Sequence, residues 1–339
     1  VFKELVFDRK KVYPTLVVST VSSGKSTLIN ALVGKELLPN RNRACTAKSV
    51  AILDNDLKPQ FEIHAVEKNG KYSLIEKATK ADIKKFNQTN EVSEMILEGQ
   101  IRGIKNSKKS LLIIDTPGIN NSMDLSHEMV TMNVLDEFAE GLILYVINAQ
   151  QIGTYDDSSF LRYVANKLKK NPKFKIIFVV NKMDLIDPEK EDPYELMENC
   201  KNYILEKGIE NPVLIPISAS SALSFKKVLN GEELLELEEE NFYRNFKYFK
   251  NDSFSLVNYA VIAERGNLQE FIVVDGQEYS RGQIYAALAN TGLALLEKVI
   301  DETMVNSLKM KAPKISCKRE VDKKATSKKK KGKRHKKKR

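Results

Sequence analysis

Five short apolar runs constrain this chain more than any other feature: "LVVS" (16–19), "LLIID" (111–115), "LILYVI" (142–147), "IIFVV" (176–180) and "VLIP" (213–216). A run without polar alternation is what a strand buried on both faces requires. Such runs alternating with segments of helical period specify an α/β fold, a mostly parallel central sheet covered by helices. Helices are expected over 25–32, 129–138, 158–169, 194–207 and 286–304. Between residues 47 and 104 the pieces "SVAIL", "QFEIHAV" and "ILEGQIRGI" alternate, which predicts an antiparallel extension, with the helix "KADIKKFNQ" among its strands. The polar turns that carry chemistry follow the C-terminal ends of the apolar runs, where open α/β sheets place their ligands.

The first of these turns is "SSGKST", residues 22–27. In a phosphate-binding loop, backbone N–H groups surround the phosphates, a lysine neutralises the β and γ oxygens, and the following hydroxyl holds Mg2+. Lys25 and Ser26 fill those two roles, and Ser22, Ser23, Gly24 and Thr27 complete the nucleotide-binding turn. The helix that follows directs its N-terminal dipole at the anion. Ser19 stands where the usual motif has its first glycine. "LLIIDTPGI" ends a buried strand at Asp115, placed to ligate a magnesium water, and Gly118 offers a backbone N–H to the γ-phosphate in a loop free to move on hydrolysis. Within "RNRACTAKS", Thr46 is the best-placed residue for a loop that binds magnesium and senses the γ-phosphate.

"FVVNKMDLI" selects the base. Asp184 can accept hydrogen bonds from the N1–H and exocyclic amine of guanine, a pair that adenine does not supply, so the nucleotide is read as GTP, with GDP as product. Asn181 supports the loop and reaches N7, while the stem of Lys182 covers the ring face. "IPISAS" (215–220) brings Ser218 and Ala219 to the base, the Ala219 N–H serving as a donor to O6. Together these elements specify a P-loop GTPase, or G domain.

Charge divides the chain in two. Residues 311–339 hold 16 Lys or Arg against 2 Asp or Glu, a net of +14, leaving 39 against 43 in the remainder, a net of −4, so all the excess positive charge of the +10 chain sits in the tail. "KKATSKKKKGKRHKKKR" is expected to be disordered, and it suits an anionic surface, either acidic lipid headgroups or RNA phosphates. The expected division is a GTPase domain over 1–310, with an insertion at about 221–283, and a polybasic tail over 311–339. In the insertion, Leu234, Leu235, Leu237, Phe242, Phe246 and Phe249 form a stripe expected to pack on the body. Cys45, Cys200 and Cys317 make no metal or disulfide spacing. His64 and His127 have no partner at catalytic spacing, and His335 lies among lysines; all three read as surface or satisfied histidines. Apolar runs fall short of the roughly 18–20 residues that cross a bilayer, and no signal-peptide pattern opens the chain, so a cytoplasmic location is expected, peripheral at a membrane through the tail. The chain starts with Val1 and reads as either a fragment or a processed form.

The stretches "VVSTVSSGKSTLINALVGKELLP", "ACTAK", "DTPGI", "NKMD" and "TGLALLEKVI" together resemble the bacterial branch of the dynamin-like GTPases, over about residues 12 to 305. The resemblance implies GTP hydrolysis promoted by pairing of G domains into a homodimer, and in some members by a sodium or potassium ion; Ser22 matches a position that helps hold that ion. Val21 stands where better-known members carry glutamine, and Ile119, after DTPG, is apolar and unable to orient water. Family members remodel membranes through a helical stalk, whereas only the basic tail follows Met304. The chain is therefore either an excised portion or a minimal relative. Two other readings stand beside this one: a monomeric switch of the ribosome-assembly kind whose tail binds RNA, and a nucleotide-binding scaffold with negligible hydrolysis.

Overall fold

A computed structural model of the chain describes residues 11–19, 22–38, 49–105, 109–116, 132–152, 158–187, 190–251, 255–256, 271–274 and 277–305. A nine-stranded sheet forms the centre, in the order β4-β3-β5-β2-β6-β1-β7-β8-β9. Five adjacent strands run parallel: β6 (Ser110–Asp115), β1 (Val12–Ser19), β7 (Gly141–Asn148), β8 (Phe174–Asn181) and β9 (Leu214–Pro216). The first four contain whole the apolar runs read from the sequence, and β9 starts at Leu214, one residue into the run 213–216. Every residue of β1 and β7 is buried, as the lack of polar alternation requires.

Period 2 then sends alternate side chains to opposite faces. Leu16, Val18, Ile143 and Tyr145 pack with α3 (Ser158–Lys170) and α4 (Pro193–Glu206) through Phe160, Val164, Cys200 and Ile204. Val17, Leu142 and Leu144 pack on the other face with α1 (Lys25–Val33) and α5 (Ala219–Leu229) through Leu28, Leu32 and Ala222.

The remainder of the sheet is β2 (Ser49–Asp54), β3 (Glu62–Glu67), β4 (Tyr72–Ile75) and β5 (Val92–Gly99). The antiparallel extension is present but not uniformly antiparallel. β2 runs against β6, and β3 runs against both β4 and β5, whereas β2 and β5 are parallel, connected through β3, β4 and α2 (Lys80–Gln88). Residue alternation reports a half-buried strand without reporting its direction, which accounts for the difference.

Residues 286–304, expected as one helix, form two, α7 (Arg281–Asn290) and α8 (Leu293–Val305). The break falls at Gly292, with φ +79°, where a Cβ would lie 2.2 Å from the Pro216 carbonyl oxygen. Of the stretch 221–283, residues 221–229 continue α5, and Glu236–Phe249 form α6. Phe242, Phe246 and Phe249 are buried, Phe242 edge-on to Phe225 with ring centroids 5.5 Å apart, so this part of the stripe packs as expected. Leu235 and Leu237 do not: they are 73% and 69% exposed, Leu235 at the N-cap of α6 and Leu237 in its first turn. β10 (Phe271–Val274) and β11 (Gln277–Ser280) pair as an antiparallel hairpin. No described helix is long and apolar enough to cross a membrane. The polybasic tail lies outside the described residues.

Candidate functional site

The site lies at the C-terminal ends of β1, β6 and β8. After β1 the chain turns sharply, with Ser22 at φ 61° and Gly24 at φ 85°, and enters α1 at Lys25. Gly24 is required twice over: its backbone is left-handed, and a Cβ would approach Asn181 Nδ2 to 2.5 Å. Neither an N-cap side chain nor an acidic residue in the first turn engages the start of α1, which suits that end to an anion. Ser23 is buried, and Ser26 and Thr27 are partly buried in the first turn.

Asp115 ends β6, in register with Val17 of β1, so the sheet brings it beside the turn. Its Oδ1 pairs with Lys25 Nζ. The next residue, Thr116, donates from Oγ1 to the Val17 carbonyl at 2.8 Å and pins the end of β6 to β1. Ser26 and Asp115 are hard oxygen donors of the kind that suit Mg2+. Thr46 and Gly118, the other two members of the expected catalytic and metal set, lie outside the described residues.

β8 delivers Asn181 to the same place. Its Nδ2 donates to the Ser23 carbonyl at 2.9 Å, and its Oδ1 accepts from the Ala219 N–H at 3.0 Å. One side chain thus ties the turn after β1, the end of β8 and the start of α5. The Ala219 N–H, expected to face a base oxygen, is held here by Asn181. Lys182 follows with φ 68°, which reverses the chain into the short 3-10 turn Met183–Leu185 and places Asp184.

Asp184 is oriented by serines. Ser218 Oγ donates to its Oδ1 at 2.7 Å, and Ser220 Oγ to its Oδ2 at 3.4 Å. Ser218 has one hydroxyl proton, and the carboxylate can only accept. The 2.6 Å contact between Ser218 Oγ and Ser221 Oγ therefore takes its proton from Ser221. Burial raises the Tyr248 pKa, and the negative charges of Asp184 and Asp187 raise it further.

A cavity of about 370 Å³ opens here, lined by Gly24, Thr27, Asn181, Lys182 and Asp184, so residues from turns far apart in sequence share one space. Sequence reasoning missed its far wall, where Lys227 of α5 and Asn241, Arg244 and Asn245 of α6 also line it. The signal available was the polar i, i+3, i+4 spacing of Asn241, Arg244 and Asn245 beside the aromatic stripe. Lys227 is 3% exposed, with its ammonium 2.6 Å from Glu238 and 3.8 Å from Glu36.

Residues 16–183 match the Dynamin family. A bacterial dynamin-like protein of Nostoc punctiforme is 29% identical over 204 residues, 56% of this chain and 28% of that protein. A probable chloroplastic transmembrane GTPase, FZO-like, of Arabidopsis thaliana is 25% identical over 330 residues, 90% of this chain and 31% of that protein. GTPase Era of Lactobacillus helveticus is 29% identical over 139 residues, covering 39% and 40%. The chain spans less than a third of the length of the first two relatives. The turn after β1, Asp115 and Asn181 all fall within the matched span, and residues 16–183 are similar to the G domain of the dynamin family.

Proposed function

We propose that this chain binds GTP with Mg2+ and hydrolyses it to GDP and phosphate, with turnover that rises when two G domains pair. The observation that carries the base assignment is Asp184, whose carboxylate is held by two serine hydroxyls at the edge of a cavity shared with the turn after β1. A carboxylate so placed accepts from two donors at once, which guanine has and adenine lacks, and leaving it without them costs binding.

Lys25 and the backbone N–H groups of the first turn of α1 hold the phosphates. The Lys25–Asp115 pair keeps both charges compensated, and phosphate oxygens replace Asp115 as the partner of Lys25. Ser26, Asp115 and Thr46 would hold Mg2+, which would supply charge neutralisation to the phosphates. Gly118 gives its N–H to the γ-phosphate. Ser22, in its left-handed turn, is the residue for an assisting potassium or sodium ion. The GTPase unit ends near residue 310, and the basic tail over 311–339 attaches it to an anionic membrane surface.

The test is GTP turnover per molecule as protein concentration is raised, in potassium and then without alkali metal. A rate per molecule that climbs with concentration supports hydrolysis across paired G domains, and dependence on potassium assigns Ser22 its role. A flat, slow rate supports the second reading, a monomeric switch whose tail binds RNA, which the concentration of positive charge in residues 311–339 favours.

A further inference from the structure

At the far end of the sheet from the nucleotide site, β3 and β5 place three metal-ligating side chains together. Glu62 and His64 share one face of β3 by period 2, while Ile63 and Ala65 between and after them are buried in the core. Glu98 of β5 lies directly opposite Glu62 in the antiparallel register. One ligand atom from each of Glu62, His64 and Glu98 lies within 4.8 Å of the others, the only such group among the described residues.

His64 is aimed. Its Nδ1 meets the Tyr72 hydroxyl at 2.8 Å. Its Nε2 is buried, 3.0 Å from Glu98 Oε2 and 3.6 Å from Glu62 Oε2, yet it makes no hydrogen bond of acceptable geometry to either. A proton on Nε2 would point at neither carboxylate, so we assign the proton to Nδ1, donating to Tyr72, which leaves the Nε2 lone pair facing two carboxylates. A buried lone pair facing two carboxylate oxygens calls for a cation at that point. Lys58 supplies part of the charge, its ammonium pairing with Glu62 and Glu98, but it has no contact that satisfies Nε2.

We propose that Glu62, His64 and Glu98 bind one divalent transition-metal ion, zinc by its donor set, in exchange for the Lys58 ammonium. Ligands at 2.0–2.1 Å around a tetrahedral zinc stand about 3.3 Å apart, which the two distances from Nε2 bracket. Three protein ligands leave a fourth position for water. Tyr72, on the ring nitrogen opposite the metal, plays the outer part usual for a ligating histidine, fixing tautomer and ring orientation. Asn55 does the same for Glu98, donating from Nδ2 to the second carboxylate oxygen at 2.7 Å. A bound ion would clamp β3 to β5, far from the GTP chemistry.

The test is calorimetric titration of zinc chloride into the full chain, stripped with chelator and then saturated with Mg2+ and GDP. One equivalent is expected at this site, weakened about tenfold or more by His64→Ala and by about tenfold by Tyr72→Phe. Lys58→Met should tighten it, because the competing ammonium is gone while the aliphatic stem remains. The imidazole nitrogen resonances of His64 should show zinc at Nε2 with Nδ1 still protonated. No binding, binding untouched by His64→Ala, or weakening by Lys58→Met would each overturn the assignment and leave a protein ion pair. Far-ultraviolet circular dichroism confirms that each variant is folded; should His64→Ala fail to fold, Lys58→Met and the wild-type His64 resonances decide.

Discussion

Asn181 Nδ2 donates to the Ser23 carbonyl at 2.9 Å across 158 positions of sequence, while its Oδ1 holds the buried Ala219 N–H at 3.0 Å. Asn181, proposed above to reach the base, thereby braces the turn after β1. Asn181→Ala leaves the Ala219 N–H buried without a partner, a loss of about 1–3 kcal/mol in stability. Guanine nucleotide affinity should fall by about tenfold or more, since the turn loses its support. Gly24→Ala should act on the same contact, because its Cβ would sit 2.5 Å from Asn181 Nδ2. The double variant should therefore cost less than the two single costs added together. Fluorescent GDP titration and denaturant unfolding of the three variants measure both quantities; strict additivity would separate the two residues.

Asp184 makes a prediction of specificity. As a carboxylate held by Ser218 and Ser220 it only accepts. Asp184→Asn replaces one acceptor by a donor, which mismatches guanine and suits xanthine, whose exocyclic group is a carbonyl. GTP binding should weaken by at least about 2–3 kcal/mol and xanthosine triphosphate should become the better ligand. Ser218→Ala should weaken GTP less, by about 1 kcal/mol, because it removes one orienting bond and leaves the acceptors in place. Competition between the two triphosphates for the wild type and both variants measures the order.

The strands and the phosphate turn were legible because their causes are local. β1 and β7 are buried along their whole length, so the apolar run is the element, and the spacing of Gly24, Lys25 and Ser26 is itself the turn. What escaped reading depends on distant partners. Gly292 divides α7 from α8 because the Pro216 carbonyl stands where a side chain would project, and the short interval between "TGLAL" and the preceding helix shows nothing of Pro216. The parallel pairing of β2 with β5 is set by connectivity, to which period 2 is blind. The amphipathic pattern of α6 showed that Phe242 and Phe246 face inward, without showing that Asn241 and Arg244 line the cavity beside Asp184. His64 reads from the sequence as a surface or satisfied histidine, because Glu98 and Tyr72 arrive beside it from other strands.

Lys227 predicts an asymmetry between partners. Its ammonium is almost wholly buried in the wall of the cavity and depends on Glu238, with Glu36 further off. Removing the carboxylate strands a buried charge, whereas removing the ammonium leaves Glu238 one-third exposed to water. Glu238→Ala should cost about 2–3 kcal/mol, a figure discounted from that of a fully buried pair because Glu238 is partly solvated. Lys227→Met, which keeps the packing volume, should cost less than about 1.5 kcal/mol. Urea unfolding of both variants gives the comparison; equal costs would mean that Lys227 reaches water when Glu238 is gone.

Tyr163 on α3 supplies a pH dependence of known sign. Its pKa is pushed up to about 12, first by burial and then by Asp136, to which its hydroxyl donates at 3.0 Å. The folded state therefore favours the neutral phenol more than the unfolded chain does, where the value is near 10. The associated stability is fully present below about pH 10 and is lost as pH rises from there through about 12. Because the ring is only partly buried, solvent screening reduces the effect to about 1 kcal/mol. Asp136 works in the opposite direction: its hydrogen bond from Lys167 holds its carboxyl below the usual aspartate range, so it remains ionised throughout this alkaline window and keeps opposing the tyrosinate. Tyr163→Phe should flatten the fall in stability between pH 10 and 12, and the wild-type minus variant ultraviolet difference spectrum should show one phenol ionising near pH 12. Ionisation of that phenol near 10 would mean that the Tyr163–Asp136 contact does not persist in solution.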